Sequence, residues 1–218
     1  MERIANNQSA LGAPALGWYV AHRSAASSTR VAPRSKGTSD EQLMERVQAG
    51  CEASFDTLVS RHYAPVCGFA SRMTGRPDLA PDIAQHAFAA VYRQRDSYRR
   101  GAPFRAWLYC IARRRCRQVV RQERRNQPVL LGAEFAAGPT ADPHRAAERR
   151  ELLQALGAAL LRLPERERAA VVMFHQLQWS YREIAEALGC SPGAARTAAC
   201  RGRGRLRALM AEFEERDR

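Results

Sequence analysis

Arginine dominates the chemistry that this sequence offers. The 218-residue chain has 35 lysine and arginine residues against 22 aspartate and glutamate residues, a net charge of +13, and Lys36 is its single lysine. The guanidinium group is always charged, and its planar fork fits the oxygens of a phosphate. A chain this basic is predicted to bind a polyanion, most often a nucleic acid.

Arginines gather on the polar side of one predicted helix. The stretch "FRAWLYCIARRRCRQVVR" spans residues 104–121, and its apolar members Phe104, Leu108 and Ile111 recur at helical spacing. Trp107 shares that spacing and is expected to pack in the core, as aromatic residues in such a stripe usually do. The remaining side of the helix is predicted to bind the phosphate backbone of a nucleic acid.

A second arginine-rich stretch follows the pattern of a helix-turn-helix. Ser180 and Glu183 have the spacing of a capping box at the start of a helix. Gly189 can adopt the left-handed conformation that ends this helix, and Ser191 and Pro192 suit the start of the next one. Two short helices joined by such a turn predict a DNA-binding unit whose second helix lies in the major groove.

Other chemistries find little support. The chain has six cysteines but no C-x-x-C pair, it has no H-E-x-x-H motif and no glycine-rich phosphate loop, and its five histidines are scattered. We therefore predict no metal site, no cofactor and no enzymatic activity. No apolar run approaches the ~20 residues that a membrane-spanning helix needs, and no signal peptide is evident. The expected location is the cytoplasm, without insertion into a membrane.

Apolar residues recur at helical spacing through most of the chain, which predicts an all-α fold. Residues 1–38 are rich in Ser, Ala, Gly, Pro and Arg without a sustained period, which predicts a disordered N-terminal arm. Prolines and glycines interrupt the periodicity again over residues 126–146, which predicts a flexible linker. This linker separates a four-helix bundle at 39–125 from a small helix-turn-helix domain at 147–213.

Three stretches, taken together and in this order, resemble a known family. They are "LAPDIAQHAF" (79–88), "FRAWLYCIARRRCRQVVR" (104–121) and a longer stretch that runs from "LPERER" to "GRGRLRAL" (163–209). They are similar to the extracytoplasmic-function (ECF) group of bacterial RNA polymerase sigma factors. The resemblance implies a sigma-2-like and a sigma-4-like domain. It also implies a subunit that directs core RNA polymerase to promoters, recognises their −35 and −10 elements and opens the strands.

The resemblance assigns roles to individual residues. In this family the first motif docks on core polymerase, and the corresponding outer face here consists of Asp82, Gln85 and His86. The −10 element is contacted by the loop before the second motif and by that motif's arginines, here Tyr98, Arg99, Arg100, Arg113, Arg114, Arg117 and Arg121. The −35 element is bound by the last helix, through positions that correspond to Arg196, Thr197, Cys200, Arg201, Arg203 and Arg205.

The sequence departs from the family at several of these positions. Arg114 stands where the family usually has Asn, and Gln118 stands where it usually has Asp. Ala198 replaces a position at which a basic contact to DNA is expected. Gly202 and Gly204 each lower the stability of the last helix by about 1 kcal/mol relative to alanine. We therefore expect few base contacts and many phosphate contacts.

The implied partners are core RNA polymerase, promoter DNA and an anti-sigma factor. The alternative is a helix-turn-helix transcriptional regulator that does not bind core polymerase. The face formed by Asp82 and Gln85, together with the basic second motif, favours the sigma factor, because a simple regulator needs neither of them.

Overall fold

The computed structural model describes residues 37–126 and 143–216. The predicted arm, apart from its last two residues, and most of the predicted linker lie outside these ranges. The described residues contain eight α-helices and no β-strand, as the all-α prediction requires. The helices are α1 (Asp40–Gln48), α2 (Glu52–Thr74), α3 (Ala80–Arg93), α4 (Phe104–Asn126), α5 (Pro143–Arg162), α6 (Glu165–Gln176), α7 (Tyr181–Leu188) and α8 (Pro192–Arg216).

Local signals define the ends of the first helices. The Ser39 hydroxyl accepts from the Gln42 N–H at 3.2 Å, and the Gln42 side chain accepts from the Ser39 N–H at 3.0 Å, so the predicted capping box is present at α1. Helix α2 ends at Gly75, whose φ of 71° is the left-handed conformation that glycine adopts without strain. A short 3₁₀ turn, Arg95–Ser97, follows α3 and leads into the loop before α4.

Helices α1 to α4 form a bundle around an apolar core. Its fully buried large side chains include Leu58, Phe69, Ile83, Phe104 and Tyr109. Deleting such a side chain typically costs about 2–5 kcal/mol, because the lost burial is combined with the cavity that remains. Because this core determines which side of α4 faces inward, the arginines of α4 lie on the other sides of the helix.

Helices α5 to α8 form the second group and contain the predicted helix-turn-helix. The Ser180–Glu183 capping box is present, and Gly189 ends α7 with a φ of 63°. Helix α5 begins at Pro143, four residues before the expected start of this domain at 147. A proline suits the first position of a helix, since its missing N–H has no intrahelical partner there in any case.

The two helical groups contact each other directly. Helix α2 packs against α5 and α6, and helix α4 packs against α7. The approach is close at Gly75, where a β-carbon would lie 2.4 Å from Leu161 Cδ1 of α5. The described residues from Thr38 onwards therefore form one compact unit in which both predicted domains share a boundary.

Candidate nucleic-acid interface

Some arginines of α4 are exposed to solvent, and one is bound to a carboxylate of the protein. Arg114, Arg117 and Arg121 are exposed, as a phosphate-binding surface requires. Arg113 is not free in this way, because its Nε and Nη2 atoms donate to the two carboxylate oxygens of Glu165 in α6, at 2.6 and 2.8 Å. Only 14% of the Arg113 side chain is exposed.

The Arg113–Glu165 pair is ionised at neutral pH. The hydrogen bond to Glu165 raises the pKa of Arg113 above its usual value, although burial acts in the opposite direction. Burial alone would raise the pKa of Glu165, but the hydrogen bonds and the charge of Arg113 outweigh it and hold this pKa below 4.5. The pair is thus a bidentate salt bridge between α4 and the second helical group.

Two of the predicted DNA-binding residues in the loop before α4 are exposed, and one is buried. Arg99 and Arg100 are exposed. Tyr98 is only 4% exposed, and its ring packs against Trp107 with the centroids 5.1 Å apart. The prediction of Tyr98 as a residue at the DNA surface therefore needs correction, because this side chain points into the core. Its hydroxyl donates to the carbonyl of Ala102 and so shapes the loop from within.

Helix α8 shows an exposed side at its N-terminal end. It is capped by Ser191, whose hydroxyl accepts from the Ala194 N–H at 3.2 Å. The predicted groove-facing residues Arg196, Thr197, Cys200 and Arg201 are all exposed. Ala198 is only 8% exposed, so our interpretation of Ala198 as a lost DNA contact is wrong. This position faces the interior of the helical group, where a long basic side chain would be buried.

Two further arginines of α8 have partners within the protein. The Arg203 guanidinium lies over the ring of Phe174 at 5.3 Å, and its Nη2 atom donates to Cys200 Sγ at 3.4 Å. Arg205 Nε lies 3.5 Å from a carboxylate oxygen of Glu167. Both arginines follow the exposed Arg196 and Arg201 on the same helix, so the cationic surface continues along α8.

The predicted docking face on α3 lies on the opposite side from the core. Asp82 and His86 are exposed and Gln85 is half-buried, whereas Ile83 and Phe88 are buried beneath them. Partial burial, followed by the nearby charge of Arg115, holds the pKa of His86 below its ordinary 6.5. At neutral pH this face therefore carries the negative charge of Asp82 without a histidinium beside it.

One contact between the helical groups was missed by the sequence analysis. The indole of Trp179 is 2% exposed, lies edge-on to Tyr109 with the ring centroids 5.0 Å apart, and has the Arg105 guanidinium 4.9 Å above it. Gln178, the residue before Trp179, adopts the left-handed conformation with a φ of 55°. No spacing rule reveals such a pair, because the residues are far apart in the sequence and Trp179 belongs to no helix.

The described part of the chain shows no metal site, no membrane-spanning helix and no disulfide. Within residues 37–126 and 143–216, no group of histidine, cysteine and carboxylate side chains is arranged to hold a metal ion. Every helix in these ranges is too short or too polar to cross a lipid bilayer. All six cysteines are free thiols.

Two family models match the chain in sequence. Sigma-70 region 2 matches residues 58–126, which cover most of α2 to α4 with the loop before α4. Sigma-70 region 4 matches residues 153–206, which run from the second half of α5 into α8. Each match contains one of the two arginine surfaces.

Curated relatives extend over most of the chain. RNA polymerase sigma factor CarQ of Myxococcus xanthus is 37% identical over 173 residues, 78% of this chain and 97% of CarQ. The sigma-H factor of Pseudomonas aeruginosa is 32% identical and covers 75% of this chain and 90% of its own length. The ECF sigma-E factor of Escherichia coli K12 is 31% identical, over 78% of this chain and 93% of that protein.

Solved structures show the same fold. CnrH, in a complex with the cytosolic domain of CnrY, matches with a TM-score of 0.62 and 27% identity over 79% of this chain and 97% of CnrH. The sigma factor RpoE of Bartonella quintana matches with a TM-score of 0.60 and 23% identity over 72% of this chain and 96% of RpoE, and it supports the fold alone. A helix-turn-helix regulator that does not bind polymerase is therefore not favoured. This chain belongs to the ECF-type RNA polymerase sigma factors, the subunits that direct the polymerase to promoters.

Proposed function

We propose that this sigma factor holds promoter DNA through two separate arginine surfaces. The first consists of the loop residues Arg99 and Arg100 with the exposed arginines of α4, and it binds the −10 element. The second is the exposed N-terminal side of α8, and it binds the −35 element. The observation that carries this proposal is that each of the two matched regions has its own surface of exposed guanidinium groups.

The two surfaces are suited to different tasks. Helix α8 has an exposed N-terminal side of the kind that enters a major groove, where arginine can bind the edge of guanine. The loop before α4 is short and carries the exposed Arg99 and Arg100, which suits contact with strands that are already separated. Residues 39–125 and 147–213 are the domains that we propose for these tasks.

Full use of the α4 surface requires a change in the protein. Arg113 is bound to Glu165, so it reaches DNA only after α4 and α6 separate. Phosphate can replace the carboxylate, since both are bidentate partners of a guanidinium group. The proposed −10 contact by Arg113 therefore competes with the contact between the helical groups.

We further propose a protein partner and a cellular location. CnrH was solved in a complex with the cytosolic domain of CnrY, and this likeness supports a comparable partner here, of the anti-sigma class that the sequence resemblance implies. The proposed location is the cytoplasm, where core polymerase and promoter DNA are found. The chain acts as a recognition subunit and carries out no chemical step of its own.

The polymerase contact is the most direct test of this function. Asp82→Arg places a cation on the exposed face of α3 without touching the core, so the variant is expected to fold normally. Its affinity for core RNA polymerase should fall by about tenfold or more, the scale of a charged contact that becomes repulsive. The measurement is retention of core polymerase on the immobilised sigma factor.

A matched variant controls for charge alone. Glu151→Arg makes the same change of two charge units at an exposed position of α5. It should retain polymerase as well as the parent protein does. Equal retention by Asp82→Arg and the parent would contradict the assignment of the α3 face.

A further inference from the structure

Helix α1 contacts both ends of the loop that we assign to the −10 element. The side-chain amide of Gln48, the last residue of α1, donates to the carbonyl of Arg95 and to that of Tyr98, both at 2.8 Å. An amide group has two N–H bonds, so one serves each carbonyl. These two carbonyls bracket the 3₁₀ turn, and Gln48 therefore fixes the point at which the loop begins.

The far end of the loop is bound by the same helix. The N–H of Phe104, the first residue of α4, donates to a carboxylate oxygen of Glu41 at 3.2 Å. The first N–H groups of a helix have no intrahelical partner, and a carboxylate there is favourable. Gln48 and Glu41 thus hold the two ends of one short loop against one helix.

The interior of the loop is equally well defined. Burial raises the pKa of Tyr98 to about 12, with nearby carboxylates adding to the effect, so its hydroxyl stays a donor to the Ala102 carbonyl. The Ala102 N–H donates to the Arg99 carbonyl at 3.0 Å and closes a tight turn. Gly101 supplies the φ of 73° that this turn needs. As a result, Arg99 and Arg100 project from a backbone that is tied down on both sides.

The Gln48 amide also has an unfavourable feature. Its Oε1 atom is buried and has no hydrogen-bond partner among the described residues. A buried acceptor without a partner is unfavourable, so an apolar side chain of the same size would suit mere packing better. The two donated hydrogen bonds are the contribution that an apolar side chain cannot make.

We propose that Gln48 is a positioning residue for recognition of the −10 element. It acts through the backbone of the loop and sets where Arg99 and Arg100 meet the DNA, without touching the DNA itself. This inference rests on the proposed function of the loop. It assigns a role in promoter choice to α1, a helix that lies outside both matched family regions.

The test compares base selectivity at the two promoter elements in the complete holoenzyme. The probe is a promoter selected from a randomised library by in vitro transcription with the parent chain and core polymerase. Single-base changes are then made in its −10 and −35 elements. Gln48→Met keeps the volume of the side chain and removes both donors. It should reduce the preference for the selected −10 bases by about fivefold to tenfold, the scale of two lost neutral hydrogen bonds. The −35 preference should change by less than about twofold.

Further variants separate positioning from stability. Gln48→Glu has the same shape and, when its carboxylate is ionised, no donor, so above neutral pH it should lose at least as much −10 preference as Gln48→Met. Tyr98→Phe keeps the buried ring, removes the hydroxyl, and should shift the same ratio even if the Gln48 variants fold poorly. Gln42→Ala removes the capping box of the same helix and should lower the unfolding temperature without changing the −10 preference.

The loop variants Arg99→Ala and Arg100→Ala distinguish the possible failures. If they reduce the −10 preference and the Gln48 variants do not, the role of Gln48 is wrong and the loop assignment stands. If neither set changes the −10 preference, the proposed function of the loop is wrong. If Gln48→Met lowers both preferences in step with unfolding temperature, as a general loss of folding would, Gln48 is structural and the inference is overturned.

Discussion

Gly202 and Gly204 lie two residues apart on α8 and have different surroundings. A β-carbon at Gly202 would lie 2.6 Å from Val171 Cγ2 and 3.0 Å from the carbonyl oxygen of Glu167, both in α6. At Gly204 it would meet nothing within 4 Å. Gly202 therefore permits the close approach of two helices, whereas Gly204 only leaves the helix more flexible.

Alanine substitutions should move stability in opposite directions at these two glycines. Gly204→Ala should raise the free energy of unfolding by about 0.5–1 kcal/mol, because alanine loses less backbone entropy in a helix. Gly202→Ala should lower it by about 1–2 kcal/mol, since the clash with α6 outweighs the same gain. Urea unfolding followed by circular dichroism measures both. Similar shifts of one sign would contradict the packing of α8 on α6.

At the scale of single residues, the sequence predicts helix ends but not which side chains are buried. Ser39, Ser180 and Gly189 act through neighbours within a few positions, and these signals alone locate the ends of α1 and α7. The family pattern predicts Tyr98 at the DNA surface and a lost DNA contact at Ala198, yet both side chains are buried. Which way a side chain faces depends on helices that pack against it from elsewhere in the chain, and spacing carries no information about them.

Helix α8 combines two functions along its length. Ala195, Ala198 and Ala199 are buried on one side, and the small size of these residues lets α8 lie close to its neighbours. Arg196 and Arg201 are exposed on the other side. Arg205 lies further along the helix and is already paired with Glu167. The helix is thus well placed to read bases at its start and to bind phosphates beyond it.

Alanine substitutions on α8 should separate base readout from phosphate binding. Arg196→Ala or Arg201→Ala should relax preference at one −35 base, because an arginine–guanine pair is worth about 1–3 kcal/mol of discrimination. Arg205→Ala should weaken binding on all sequences and reduce the salt slope by about 1. Binding of the holoenzyme to −35 variants at several salt concentrations measures both effects.

A different outcome would assign the helix another role. Uniform losses for Arg196→Ala and Arg201→Ala, with base preference intact, would make α8 a phosphate clamp. Promoter choice would then rest on the loop before α4.

At the largest scale that the structure describes, the two helical groups are joined by contacts between distant parts of the sequence. Arg113 forms a salt bridge with Glu165, and Tyr109 packs against Trp179. Gly75 has no side chain and so leaves room for Leu161. Periodicity and short motifs are local features of the sequence, and they predict the helices and the two matched regions. They do not predict how the two regions face each other, because that arrangement depends on contacts between side chains more than 50 positions apart. The prolines and glycines of residues 126–146 predict a flexible linker, and no local signal in the sequence indicates this shared boundary.

Loss of the Arg113–Glu165 pair should favour an open arrangement. Glu165→Gln keeps the size of the side chain and removes its charge, which should weaken closure by about 1 kcal/mol, because the pair is partly exposed. Arg113 then becomes available, and the free sigma factor should bind DNA more tightly. Spin labels on the exposed Cys51 and Cys200, with the other cysteines replaced, report the distance between the two helical groups.

Acidity provides an independent check of the same contact. The pKa of Glu165 is held below 4.5, so its contribution to closure is complete above that pH and is lost as the pH falls through the lowered value. The parent should therefore open in acid, whereas Glu165→Gln should show a smaller change. Glu151→Gln, at an exposed site of α5, should behave like the parent. An unchanged label distance in Glu165→Gln at neutral pH would show that the pair does not hold the molecule closed.

The exclusive use of arginine on α4 and α8 has a consequence for covalent chemistry. Residues 37–218 contain no lysine, so acylating enzymes and amine-directed reagents find no side chain to modify on either surface. Acetylation neutralises lysine, whereas the guanidinium group neither accepts an acetyl group in this way nor loses its proton at any physiological pH. The cationic surfaces of this sigma factor therefore keep their charge against both lysine acetylation and changes of physiological pH, and a competing anion such as a carboxylate can still mask them.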